Sequence, residues 1–237
     1  MAIDDSYTKS LLHFDGDDAS STFTDESGKE WTRAGTAQID TAQSVFGGAS
    51  GLFDGNSDYI TTPDSADWYL DDGSNSNKWT IDFRVRFNGD PGTGEQGFLT
   101  QWASGTNRWN IRLSNNTLYF SVRTADTLVI NVNNAWNPAT ATWYHVAIVK
   151  NGTSGYMMFV EGSQIGSTQT DTDTMANLSA TLQVGRTIDS SSVSSYFNGW
   201  MDELRISKGI ARWTSDFTPP SSAYGQTVVS NGYFWVI

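Results

Sequence analysis

The sequence predicts an all-β fold of two stacked antiparallel sheets, and three observations carry that prediction. Apolar and polar residues alternate in short bursts, and Gly, Asn, Asp and Ser punctuate them. Aromatic residues dominate the apolar set, with 10 Trp, 9 Tyr and 12 Phe, and these favour strands over helices. A chain of 237 residues suits one large β domain. It divides into an N-terminal arm at 1–8, a folded domain at 9–220, and a tail at 221–237 beyond Pro219-Pro220. The tail ends on Tyr233, Phe234, Trp235, Val236 and Ile237, which reads as an edge strand or a contact with a partner protein.

The first strands are expected at 10–14, 49–54 and 58–62, the last two joined by Asp54-Gly55-Asn56-Ser57. Next, Trp79, Ile81, Phe83, Val85 and Phe87 alternate with Thr80, Asp82, Arg84 and Arg86, so one face packs and the other meets water or a ligand. Trp109, Ile111 and Leu113 repeat the pattern, as do Leu118, Phe120 and Val122, around a tight turn at Ser114-Asn115-Asn116-Thr117. Further strands are expected at 142–150, 155–161, 181–186 and 200–207, with turns at Asn151-Gly152 and Glu161-Gly162. Residues 63–78 and 88–97 read as long rim loops, and 207–213 as the one short helical candidate.

The net charge of −12, with 14 Lys and Arg that form no cluster, argues against a nucleic-acid partner. Only five of the 26 acids are Glu, so Asp-rich turns suited to divalent cations prevail. No stretch reaches the apolar length of a membrane span, and the acidic start lacks the pattern of a signal peptide. There is no cysteine.

Catalysis finds no support. There is no Gly-x-Ser-x-Gly elbow, no Walker loop, and only His13 and His145 as imidazoles. Glycoside hydrolysis normally uses two carboxylates that flank one bond, and with glutamates only at 26, 30, 95, 161 and 203 no acid pair is apparent on the polar strand faces. Asp82 stands alone among arginines, and Asp202 and Glu203, being adjacent, should point to opposite faces of their strand. The chain is therefore expected not to be an enzyme. A displaced acid pair acting on glycans is the rival.

Binding is the positive reading. If the three alternating strands pair consecutively, Arg84, Arg86, Asn110, Arg112, Tyr119, Ser121 and Arg123 share one surface, with Gln101, Trp102 and Trp136 beside it. Planar donors and aromatic platforms suit a sugar, and arginines on an acidic protein suit an anionic glycan. The plainer alternative is a solvated face whose arginines pair with Asp82.

A series of short motifs points to a family. In order they are Phe14-Asp15, Asp25-Glu26-Ser27-Gly28, Phe46-Gly47-Gly48-Ala49, Leu52-Phe53-Asp54-Gly55, Trp143-Tyr144-His145-Val146-Ala147, Val184-Gly185-Arg186, and the run from Phe197 to Ile206. Their order over about residues 10–219 resembles the laminin G-like group of the concanavalin A-like lectin and glucanase superfamily. The resemblance implies a two-sheet jelly roll that binds glycans or proteins. It also implies one structural calcium ion, held by Asp15, Asp202 and a carbonyl of Gly48 or its neighbour Gly47. The start of the chain and the segment Ile210-Ala211-Arg212-Trp213 are similar to virion-associated members. The expectation is thus a calcium-stabilised, carbohydrate-binding surface module of a phage or virus particle, released by lysis, binding a glycan or surface polysaccharide and gripping other virion proteins through its tail. A purely structural decoration role is the alternative.

Overall fold

In the computed structural model, residues 5–92, 94–189 and 194–225 are described. Their strands are β1 (Thr8–Leu12), β2 (Thr32–Ala34), β3 (Gln38–Asp40), β4 (Ser50–Asp54), β5 (Tyr59–Thr62), β6 (Lys78–Phe87) and β7 (Glu95–Ser104). There follow β8 (Asn107–Ser114), β9 (Thr117–Thr124), β10 (Thr127–Ala135), β11 (Trp143–Asn151), β12 (Tyr156–Val160) and β13 (Ser163–Gln169). The last are β14 (Leu182–Val184), β15 (Arg186–Ile188), β16 (Ser194–Tyr196) and β17 (Asn198–Lys208). An eight-stranded sheet runs β13-β12-β11-β6-β17-β4-β3, with β1 also on β17. A seven-stranded sheet runs β10-β9-β8-β7-β14-β5-β2, and β15 with β16 forms a separate hairpin. The all-β jelly-roll sandwich expected from the sequence is what forms.

The two sheets meet through the alternating apolar residues. Trp79, Ile81, Phe83, Val85 and Phe87 of β6 share one core with Trp109, Ile111, Leu113, Leu118 and Phe120 of β8 and β9. Phe83, Phe87, Phe98 and Phe197 pack tilted or edge-to-face at 5.4–6.1 Å between centroids. That geometry favours aromatic rings beyond simple burial.

Several hairpin turns follow the sequence directly. Asn115 and Asn116 adopt φ of 46° and 58°, and Glu161 and Gly162 adopt 50° and 76°. Both are two-residue turns with positive φ, whose twist matches the flanking strands. Asp54-Gly55-Asn56-Ser57 does something different, carrying the chain from β4 in one sheet to β5 in the other.

Three sequence expectations are corrected. Residues 207–213 are not helical, because the chain there is tied to β6: Thr80 Oγ1 donates to the Ile210 carbonyl, and the Arg212 N–H donates back to Thr80. Residues 95–97 belong to β7 and not to a loop. The outer face of β6 is covered over Thr80, Asp82 and Arg84 and meets water only at its ends. Asp82 is fully buried, and Ala211, Trp213 and Phe217 pack on Ala147, Val149, Met157 and Phe159 to make a second small core there. Trp213 stacks on Phe217 at 4.1 Å. Ala223 and Tyr224 are buried as well, so the described fold continues past Pro219-Pro220. The remainder of the expected tail, 226–237, lies outside the described residues.

Candidate functional site

On the outer face of the seven-stranded sheet, register brings polar side chains into rows. Asn110 lies opposite Ser121, Arg112 opposite Tyr119, and Arg108 opposite Arg123. Directly opposed residues project to the same side of a sheet, and the alternate positions Trp109, Ile111 and Leu113 are spent on the core. These rows floor a cavity of about 260 Å³. Ile188 and Asp189 join its lining from the β15 end. Gly97 brings that hairpin close, since a Cβ there would lie 2.2 Å from the Thr187 nitrogen.

Most of the floor is fixed by its own hydrogen bonds. Arg112 pairs with Glu95 at 3.0 Å, donates to Ser121 Oγ at 2.8 Å and to Asn110 Oδ1, and covers the Tyr119 ring at 4.5 Å. Glu95 also accepts from Thr187 Oγ1 at 2.9 Å. Arg108 is only 9% exposed, and its one side-chain hydrogen bond among the described residues goes to the Gly105 carbonyl. Burial and the facing Arg123 charge push its pKa down, while Asp189 and Asp126 act the other way. Arg123 pairs with Asp126 at 3.2 Å, leaving its buried Nε without a partner.

Of the residues expected to bind, Asn110, Arg112, Tyr119 and Arg123 come together here. Trp102 stands at the margin, opposite Arg108, and donates its indole N–H to the Asp189 carbonyl at 3.3 Å. Arg84 and Arg86 do not join them, because β6 pairs with β11 and β17 in the other sheet. Arg84 is buried against Phe46 and donates to the Pro220 carbonyl, and Arg86 lies over Trp200. Trp136 is in the core against Phe87 and Tyr144, and Gln101 is buried, bonding to the Leu178 and Ala180 carbonyls. Arg108, although on the expected polar face, was not singled out from the sequence. Its neighbours Glu95 and Asp189 come from distant segments that no local pattern connects.

The outer face of the eight-stranded sheet holds a sealed polar cluster. Asp82 meets Arg205 at 3.1 Å, accepts the Tyr224 hydroxyl, and lies 3.5 Å from His145 Nε2. Burial alone would raise the Asp82 pKa, but the Arg205 and His145 charges and the hydrogen bonds from His145 and Tyr224 hold it down at about 2. A carboxylate so held, with no exposure, is no proton donor to a substrate. A second cavity of about 430 Å³ opens beside Trp213 and Tyr224, where Arg205 is engaged by Asp82 and Arg212 by Asp5.

The expected metal ligands converge at another corner. Asp202 accepts the N–H groups of Val45 and Phe46 through Oδ2, and its buried Oδ1 has no partner. The Asp15 carboxylate lies against Gly47, where a Cβ would fall 1.7 Å from Oδ1, and that oxygen too is buried and unpartnered. Gly47 is thus the glycine against which the carboxylate lies, with Gly48 in open space. Burial first, then the Glu203 and Asp15 charges, push the Asp202 pKa up to about 7. Glu203 does not point oppositely to Asp202. A bulge in β17 puts both Met201 and Leu204 in the core, so the two carboxylates between them turn away from it together. Glu203 is satisfied by His13 at 2.6 Å and by the Tyr224 N–H. Among the described residues no three acidic or imidazole side chains cluster as a metal centre, so an ion here would draw on two carboxylates and backbone carbonyls. Two orphaned buried carboxylate oxygens fit that donor set.

Residues 54–212 match a laminin G family model described as the concanavalin A-like lectin/glucanases superfamily. None of the curated proteins matches the sequence. Among solved structures, the binding domain of botulinum neurotoxin serotype D/C superposes with a TM-score of 0.65 at 15% identity, covering 86% of this chain and 49% of that one. A botulinum neurotoxin type C structure, described as dependent on two ganglioside molecules for cell entry, gives 0.64 at 16%, covering 86% and 48%. Domain 4 of AbnA, an extracellular arabinanase from Geobacillus stearothermophilus, in complex with arabinotriose, gives 0.63 at 17%, covering 86% and 93%. The chain spans about half the length of the toxin domains it matches. At such identities the likeness is one of fold. No helix among the described residues is long and apolar enough to cross a membrane.

Proposed function

This chain belongs to the laminin G-like family of the concanavalin A-like lectin/glucanase superfamily, and from that premise we propose that it is a non-catalytic, lectin-like module that binds a glycan on the outer face of its seven-stranded sheet. One observation carries the reading: a walled cavity whose floor is a preorganised set of planar donors, amides, hydroxyls and one aromatic ring, backed by a rigid core. Sugars need such groups, because their hydroxyls take paired hydrogen bonds and their apolar faces rest on rings. Arabinotriose on the AbnA domain and gangliosides on the toxin agree with this reading as properties of those proteins.

The test is a glycan array probed with the labelled wild-type chain and with Tyr119→Ala, each shown to be folded by its melt. Retained glycans that Tyr119→Ala releases support the reading, and an array without any retained glycan contradicts it. Reducing ends released from laminarin, agar or alginate, and lost in Glu95→Gln, would overturn the non-catalytic part.

We further propose that the Asp15, Asp202 and Gly47-Gly48 corner holds one calcium ion, supported by the two orphaned carboxylate oxygens. When bound, the ion would supply the positive charge that these buried oxygens otherwise lack. A place on a virion surface is carried forward from the sequence resemblance alone, and the binding assays do not depend on it.

A further inference from the structure

Resting on that glycan-binding reading, we infer that the ligand carries an acid group, a carboxylate or sulfate on one of its sugars, and that Arg108 and Arg123 grip it between them. Directly opposed like charges on neighbouring strands destabilise a sheet, yet Arg108 and Arg123 face each other across β8 and β9. Both line the cavity, with Arg112 one row away.

The local acids offset this pair only in part. Glu95 is taken by Arg112 and Thr187, and the exposed Asp126 pairs with Arg123 alone. Asp189 acts on Arg108 through its charge without a hydrogen bond between them. Arg108 therefore presents a nearly buried guanidinium with most of its donors unspent, and Arg123 adds a buried, unpartnered Nε. A buried N–H left without a partner, as at Arg123 Nε, costs free energy, and an oxyanion that accepts from both guanidinium groups removes that cost while engaging the unspent donors of Arg108.

The surroundings restrict the anion further. Leu128 and Ile188 supply apolar wall, and the cavity of about 260 Å³ admits one or two sugar units. The protein as a whole carries −12, so a densely charged polymer is repelled outside the cavity while a single acid group within it is held at contact range. The occupant that fits is a sparsely charged glycan, such as a neutral chain bearing an occasional uronate, sialate or sulfated unit.

The experiment compares matched glycans on the array and by calorimetry: lactose, 3′-sialyllactose, 3′-sulfolactose, a galacturonate trimer, arabinotriose and heparin. Retention of acid-bearing members over their neutral counterparts is expected, with heparin weaker than the singly charged ligands. Arg108→Gln should lower affinity for the acidic ligand about tenfold to a hundredfold. Arg123→Gln, at a more exposed side chain, guards against a folding defect and should lower it in the same direction. The sialylated and sulfated arms tell which acid is preferred. Neutral glycans bound as tightly as acidic ones, with both arginine variants within twofold of wild type, would overturn the inference and leave the glycan-binding reading standing. An array empty of all glycans would overturn that reading itself.

Discussion

Replacing Lys150 with methionine removes a cation that the fold has taken wholly out of water. Lys150 Nζ lies 3.0 Å from Asp71 Oδ1, and both side chains have no exposure. Asp71 also accepts the Trp79 indole N–H at 2.9 Å and the Met175 N–H at 3.0 Å. It thereby ties the segments around residues 71 and 175 to the end of the sandwich. An exposed ion pair would contribute about 0–1 kcal/mol. A buried one broken on one side costs about 3–5 kcal/mol, because the surviving carboxylate is left in low dielectric with two neutral donors. In a chain of this length each kcal/mol moves the melting midpoint by about 2–4 °C, so Lys150→Met should melt roughly 6–20 °C lower. Adding Asp71→Asn should restore more than half of the loss, since the amide oxygen still accepts from Trp79 and no charge remains. Urea unfolding followed by tryptophan fluorescence measures all three proteins. A Lys150→Met loss below about 1 kcal/mol, or a double variant less stable than the single, would refute the account of this pair.

Two further outcomes follow from the polar corners. Calcium at a hundred times its dissociation constant should stabilise the chain by about 2.7 kcal/mol, a rise of roughly 5–11 °C. Asp202→Asn and Gly47→Ala should each abolish the rise, and a midpoint indifferent to calcium and chelator would remove the ion from the account. Asp82 is held at about 2 in the fold against an ordinary 3.8, so its contribution is present above about pH 4 and lost as pH falls toward 2. That difference amounts to about 2 kcal/mol. Urea midpoints from pH 2 to 6 should show a steeper acid limb in wild type than in Asp82→Asn, and identical limbs would contradict it.

The sandwich was legible because alternation names the inward residues strand by strand, and the Asn115-Asn116 turn fixes the register of β8 on β9. That register is why Asn110, Arg112, Tyr119 and Arg123 could be assembled from sequence. Arg84 and Arg86 were misplaced because alternation says which side of a strand faces out and nothing about which sheet the strand joins. The covering of the eight-stranded sheet had a local signal. Val146-Ala147-Ile148-Val149 and Tyr156-Met157-Met158-Phe159-Val160 are unbroken apolar runs, the mark of strands buried on both faces. What covers them, residues 210–224, had none, since its contacts with β6 and β11 are long-range. The bulge at Asp202-Glu203 was likewise invisible, because period two is the default reading and only the pairing with β6 reveals the extra residue.

If a glycan docks on the outer face of the seven-stranded sheet, an amide-resolved NMR titration with the tightest acid-bearing glycan from the array will map it there. The largest shifts are expected at Arg108, Asn110, Ser121 and Arg123, with the arginine Nε–H signals moving alongside. Shifts gathered instead around Trp213 and Tyr224, on the far side of the sandwich, would contradict it.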